Sequence, residues 1–435
     1  MQVITSYKVK VKHYNHIFDD TLKIYREALA YLIDVVNAEW ESIKYLSGLK
    51  LKQGHIEHLV HSTSKREAKY DFDTRFHKYP SYLLRGTISE AIGKVSAYRS
   101  NYANWEKNER KGKPPQLQYE HFEYPALFRE NMYIREDDYT AQLKIYHRND
   151  WVWLTVKLRK SDVDYIKRNK ARSTECAPTL YKDGRNWYLR FAYKDTVELT
   201  IKKEIIIGVD LGINHAATCS AMRSDGTVIG RKFIDFPVEK DQMYRKLNKI
   251  KQAQQNGARR TPRLWAFANN YNRALSEKTA QAIVAFASLH HADVIVFENL
   301  NMNKKKRGSK KQRLHLWRKK AVIKMVSCKA HLLGMRISTV CAWGTSRYAY
   351  DGSGEVVRDK DNYSMCTFKT GKRYNCDLSA SYNIAARYYI RDVLKSLPET
   401  VRLGIEAKDP RFTRRITSTL ATLNSLSAEL MQLAV

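Results

Sequence analysis

The sequence predicts a multidomain protein that joins an α/β part to a largely helical one. Three observations lead there. The chain has 435 residues, enough for roughly three domains and ample for a buried core. Two long helical patterns, "FDDTLKIYREALAYLIDVVNAEWESIKYL" and "SYLLRGTISEAIGKVSAYRSNYANWEKNERK", stand between strand-like stretches. From residue 204 onward, short apolar strands alternate with helices, the pattern of an α/β unit.

In chain order, "VITSYKVKVKHY" alternates apolar and polar residues and reads as a strand. The first long helix follows, with Asp19 and Asp20 placed to cap it. Tandem prolines in "GKPPQLQYEHFEYP" prevent the second from continuing. "AQLKIYHRND" and "WVWLTVKLRK" read as strands, and "APTLYKDGRNWYLRFAYK" as a hairpin turning at Asp183-Gly184. "EIIIGVDLGINHAATCSAM" gives two buried strands around a turn, and "GTVIGRKFIDF" a third. Helices are expected over residues 239–256 and 263–290, then a strand in "DVIVFENLN" and a helix to residue 334. A strand in "RISTVCAW" and a helix in "SASYNIAARYYIRDVLKSL" complete the series, and the stretch after residue 400 is weakly patterned.

Composition restricts the partners. A formal net charge of +32 and a pI near 9.8 favour a polyanion, and nucleic acid is the natural one. A basic membrane-surface protein is the rival, but no apolar run reaches the roughly 18 residues of a spanning helix. The opening residues do not read as a signal peptide. Six cysteines (176, 219, 328, 341, 366 and 376) form no disulfide framework, which fits a reducing cytoplasm.

Three carboxylates sit at the ends of elements. Asp210 lies where an apolar strand meets "LG", Glu298 ends "DVIVFE", and Asp377 opens "LSASYNIAAR". Crowded buried carboxylates repel one another unless a cation neutralises them. Hard oxygen donors on rigid ends suit Mg²⁺, with Mn²⁺ as the alternative, and paired ions of this kind hydrolyse phosphodiesters. Each residue also has an ordinary reading. "GVDLG" opens sugar kinases and actin-like ATPases, Glu298 can be a plain strand-end acid, and Asp377 can be a helix N-cap. Asp293 competes with Glu298 from the other end of the same strand, about 17 Å away, so only one of them can join a cluster.

In that order, the motifs resemble those of the TnpB family, RNA-guided nucleases of IS200/IS605-type transposons related to compact type V CRISPR effectors. "GVDLGIN" looks like the first RuvC motif and "VIVFENLN" like the second. "DLSASYNIAAR" is similar to the third, with Ser379 where Asn is usual. The resemblance covers residues 204–395; before them it extends to architecture alone. It implies an RNase H-like (RuvC) nuclease domain with Asp210, Glu298 and Asp377 as catalytic metal ligands. It also implies a wedge-like β-barrel in two parts, 1–15 and 126–203, split by a helical recognition domain at 16–125. The nuclease would run over 204–340 with a basic lid at 303–320, a ribbon-like insertion that binds target nucleic acid would occupy 341–374, and the third motif 375–400. Residues 401–435 remain as a C-terminal tail.

The implied function is guided cleavage of target double-stranded DNA beside a short adjacent motif, with a guide RNA of transposon or CRISPR origin. A guided DNA-binding regulator with little cleavage and an unguided structure-specific resolvase are the alternatives. The stretch 304–320 carries ten Lys or Arg and no acid. Lys304, Lys305, Lys306, Arg307, Lys310, Lys311 and Arg313 either hold a phosphate backbone or form a solvated face. In the family the insertion is a zinc ribbon with two CxxCG knuckles. Here the ligand positions fall on Ala349, Gly352, Thr367 and Thr370, none of which binds zinc. Zinc is therefore not expected, unless Cys328, Cys341, Cys366 and Cys376 regroup into an unusual site.

Overall fold

In the computed structural model, all residues are described except 13–15, 120–122, 213–214, 300–318, 414–416 and 434–435. Residues 2–195 form one compact unit, and residues 196–435 together with Met1 form the other. Among the described residues, no helix is long and apolar enough to cross a membrane.

The first unit is built on alternating strands. Strand β1 (Gln2–Lys12) buries Val3, Val9 and Val11, while Ile4, Ser6 and Lys8 between them are exposed. Its partners lie more than a hundred residues away, in a seven-stranded sheet of order β2-β3-β4-β1-β7-β5 with β6 on β7. These strands are β2 (Tyr133–Arg135), β3 (Thr140–His147), β4 (Asp150–Leu158), β5 (Thr174–Glu175), β6 (Thr179–Asp183) and β7 (Asn186–Thr196). The hairpin of β6 and β7 turns at Gly184, in the left-handed region at φ 60°. Between β1 and β2 run α1 (Asp19–Ala38), α2 (Trp40–Ile43), α3 (Leu49–Val60), α4 (Phe72–Arg75) and α5 (Ser81–Lys107). Leu22, Leu29, Leu32 and Val36 of α1 and Leu84, Ile88, Ala91 and Val95 of α5 belong to one buried core.

Several local expectations need correction here. Asp19 and Asp20 lie inside the first turn of α1, while Phe18 holds the N-cap position without a side-chain bond. They favour the helix through its dipole, and Asp19 pairs with Lys182. The expected single helix over residues 18–46 breaks at Glu39. Helices α3 and α6 (Lys160–Lys170) were not anticipated; α6 buries only Val163, Ile166 and Lys170, too few for a clear periodic signal.

The second unit centres on a five-stranded sheet of order β10-β9-β8-β11-β12. Its strands are β8 (Ile205–Asp210), β9 (Ala217–Arg223), β10 (Val228–Ile234), β11 (Val294–Asn299) and β12 (Arg336–Cys341). Strands β8, β11 and β12 run parallel, and β9 is antiparallel to β8 and β10. Both β8 and β11 are apolar almost throughout because helices cover both faces. On one face Ile207, Val209, Ile295 and Phe297 meet residues of α8 (Pro262–Leu289) and α9 (Lys319–Leu332), whereas α7 (Pro237–Gln255) buries only Ile250. On the other, Ile206, Val294 and Val296 meet α10 (Cys376–Ser396).

The weakly patterned tail folds as well. It forms α11 (Glu399–Lys408), α12 (Pro410–Thr413) and α13 (Leu420–Leu433), and Ile405, Phe412, Leu423 and Leu426 join the core around α10.

Gly208 fixes the separation of α10 from the sheet. A Cβ there would stand 2.3 Å from the Ser381 carbonyl oxygen and 3.0 Å from Ala385. Gly208→Ala should therefore destabilise the protein by about 1–3 kcal/mol, read as a lower melting temperature; an unchanged value would show looser packing than described.

Candidate active site

Strand alternation sets the direction of the first two carboxylates. Ile206, Gly208 and Asp210 share the α10 face of β8, and Val294, Val296 and Glu298 share the same face of β11. The β8–β11 register pairs Val296 with Gly208, so Glu298 and Asp210 lie two residues further along in adjacent parallel strands. Asp377 lies in the first turn of α10, which crosses this face. It is not the cap of that helix. Asn375 has that role, its Oδ1 accepting from the Leu378 N–H at 2.9 Å.

The three groups act on one another electrostatically. Asp210 is held well above the usual carboxylate range, first by burial and then by the negative charges of Glu298 and Asp377, with Arg358 opposing. Burial also raises Glu298, and Asp377 adds to this; the Thr345 hydroxyl, Arg387 and Lys319 oppose it. Glu298 is only 9% exposed and accepts a hydrogen bond from Thr345. Asp377 Oδ2 lies 3.4 Å from His215 Nδ1. Among the described residues, no three His, Cys, Asp or Glu side chains converge to hold a metal as arranged. The donor chemistry nevertheless suits a hard divalent cation: oxygen ligands, partly desolvated and mutually repelling.

Asp293 has a different use. Its carboxylate accepts from the Glu204 N–H at 2.9 Å and the Thr200 hydroxyl at 3.1 Å, at the opposite end of β11. Lys304, Lys305, Lys306, Arg307, Lys310, Lys311 and Arg313 lie outside the described residues. Sequence reasoning passed over His215, Thr345, Asn383 and Arg387. None of them has a local pattern, although Thr345 stands in the quoted "TSRYAYDGSG" and Asn383 and Arg387 in the third motif.

The insertion contains a three-stranded antiparallel sheet of β13 (Val357–Arg358), β14 (Met365–Thr367) and β15 (Arg373–Asn375). Of the four positions that the resemblance assigned to zinc ligands, Ala349 is buried in an apolar cluster, whereas Gly352, Thr367 and Thr370 are exposed. Ala349, Cys366, Phe368 and Cys376 are buried together with Tyr350, Val356 and Tyr374 around them. The Tyr350 ring lies 5.6 Å from Phe368 and 5.1 Å from Tyr374. Burial pushes the Cys366 thiol up to about 12 and also raises Cys376, so neither offers a thiolate. Cys328 and Cys341 are exposed and outside this core. The residues do not fit zinc.

Two outcomes follow from these environments. A carboxyl that keeps its proton to higher pH when folded stabilises the fold at low pH, and that contribution is lost as pH rises through the raised folded value. Asp210→Asn should remove the loss, raising the melting temperature at neutral pH without divalent cations by about 2–4 °C per kcal/mol of relieved repulsion. A lower melting temperature would contradict the repulsion. In the ribbon, elemental analysis should find well below one zinc per chain, and a strong chelator should leave the melting temperature unchanged. Stoichiometric zinc lost with stability in Cys366→Ser would overturn that assignment.

Comparison with known proteins adds the following. Residues 5–147, in the first unit, match the model of the Aq_aa04 family. No curated protein matches the sequence. Among solved structures, the Cas12f1-sgRNA-target DNA complex is similar at a TM-score of 0.55 and 13% identity, over 85% of this chain and 81% of that one. The mini-RNA-guided endonuclease CRISPR-Cas_phi3 is similar at a TM-score of 0.50 and 11% identity, over 88% and 92%. At such identities the likeness is one of fold: this chain has a mixed α/β, multidomain fold similar to those of compact Cas12 effectors.

Proposed function

We propose that this chain is an RNA-guided DNA endonuclease of the TnpB and type V effector kind, with an RNase H-like (RuvC) site at Asp210, Glu298 and Asp377. The observation that carries the reading is the placement of these three carboxylates on one face of one sheet, at two adjacent strand ends and the first turn of the covering helix. The fold likeness to RNA-guided effectors and the net charge of +32 support it from independent directions.

Mg²⁺ or Mn²⁺ ions held by Asp210, Glu298 and Asp377 would supply Lewis acidity to a phosphodiester and lower the pKa of a bound water. The chain's own contribution is to hold the carboxylates on rigid ends and to bring the polyanion to them. Base pairing with a guide RNA would select the target, while protein contacts would read duplex shape and a short adjacent motif. Residues 304–307, 310, 311 and 313 would grip the phosphate backbone. A guided DNA-binding regulator with little cleavage is the second reading, favoured by the engagement of Asp377 with His215.

The protein expressed with its native flanking DNA should carry a discrete RNA and cut matching DNA only with that RNA and a divalent cation. Asp210→Ala, Glu298→Ala and Asp377→Ala should each reduce cleavage on the order of 100-fold or more while guided target binding persists. Asp293→Ala should lower the melting temperature instead. Random co-purifying RNA with RNase-insensitive cutting would reject guidance. Cleavage retained in Glu298→Ala but lost in a folded Asp293→Ala would reject the site. Sequence-specific, RNA-dependent binding without cutting would select the regulator.

A further inference from the structure

Beside the three carboxylates lies a set of buried polar side chains that form no part of the proposed ligand set. Thr345, Asn383 and Arg387 are each 2% exposed or less. Asn383 and Arg387 stand one turn apart on α10 and reach the same segment, residues 341–348, just beyond β12. Asn383 Nδ2 donates to the Thr345 carbonyl at 3.0 Å and the Tyr348 carbonyl at 2.9 Å, while its Oδ1 accepts from the Leu420 N–H at 3.2 Å. Arg387 Nη1 donates to the Cys341 and Trp343 carbonyls, both at 2.8 Å, and its Nε to the Ser418 carbonyl at 2.9 Å.

Backbone N–H groups meet the Gly344 and Arg347 carbonyls of this segment, while Asn383 and Arg387 supply donors to the carbonyls of Cys341, Trp343, Thr345 and Tyr348. Among the described residues, its side-chain link to the carboxylates is the Thr345 hydroxyl, which donates to Glu298 Oε1. Glu298 leaves its strand beside Val340 of β12, and a glutamate there has three side-chain torsions to fix. The hydroxyl holds the carboxylate end, and the segment that carries it is held by α10, the helix that also bears Asp377.

We infer that Thr345 is a positioning residue for Glu298, and that Asn383 and Arg387 set the place of Thr345, so one helix places two of the three carboxylates. The inference rests on the reading of Glu298 as a metal ligand. Outer residues that orient ligands change metal affinity by roughly 10–100-fold when removed.

The test compares Thr345→Val, which keeps shape and loses the hydroxyl, with Thr345→Ser, which keeps the hydroxyl, in the full chain with its co-purified RNA. Mn²⁺ affinity by calorimetry and the Mg²⁺ concentration for half-maximal cleavage are both read. Thr345→Val should weaken both about tenfold without changing guided target binding, and Thr345→Ser should restore them. Arg387→Lys should shift them in the same direction and add less than its separate effect to Thr345→Val; it also serves if Thr345→Val fails to fold. Equal behaviour of the Val and Ser variants, or unchanged Mn²⁺ affinity in Thr345→Val and Arg387→Lys, overturns the inference. If Glu298→Gln abolishes cleavage in that case, the nuclease reading survives alone. If Glu298→Gln binds Mn²⁺ and cuts like the parent, or the parent binds no Mn²⁺, both fall.

Discussion

Helix α10 lies on strand β8 at a distance that only glycine permits, and much of the second unit is arranged around that contact. With a side chain at Gly208 the helix would have to move away from Ser381 and Ala385, and its first turn would carry Asp377 away from the strand ends with it. The residues that seal the approach are small or apolar: Ala380, Ala385 and Ala386 are fully buried, and Ile384 and Ile390 enter the same core. Packing at this density leaves little freedom for adjustment. The position of Asp377 over β8 and β11 is thus a consequence of core packing, and no contact made by Asp377 itself is required to explain it.

The same closeness creates an electrostatic problem. Three acids approach one another in a partly dry setting, and the cost shows in the raised Asp210 and Glu298 carboxyls. Arg358, Arg387 and Lys319 oppose the shifts without cancelling them. A chain with 77 basic and 45 acidic residues has ample cationic side chains to neutralise such a site.

Much of this was legible in the sequence, and what escaped has a common cause. The strands around Asp210 and Glu298 and the helix bearing Asp377 were readable because their apolar runs and periods reflect burial within one element. The ends of those elements then placed the acids, and about 17 Å of strand separated Asp293 from Glu298. Partners set by tertiary contact were not readable. Nothing near Thr345 announces that its hydroxyl meets a residue 47 positions away, and nothing near Asn383 announces Leu420. Helix α13 was missed for the same reason. Its polar residues blur the pattern, and Leu420, Leu423 and Leu426 matter only because α10 offers them a surface. For the cap of α10, Asn375 and Asp377 are both suitable residue types, and only the backbone path selects Asn375.

The ribbon shows how one unreadable element alters the meaning of a readable one. An insertion this small cannot build an independent core, and a structural zinc ordinarily supplies the missing folding energy. Ala349, Gly352, Thr367 and Thr370 offer no zinc ligand, and the segment draws on other contacts. Its own aromatic plug is one part, with Tyr350, Phe368 and Tyr374 in mutual contact. The remainder comes from outside the insertion. Tyr350 packs edge-on against Tyr382 of α10 at 5.2 Å, and its carbonyl accepts from the Ala421 N–H of α13 at 2.9 Å. Gly352 lies so close to Ala421 that a Cβ would come within 2.9 Å of its methyl. Helix α13 thus occupies the space beside this turn. The segment between β12 and α10 thus draws stability from α10 and α13, the same two helices that carry Asp377 and brace Asn383.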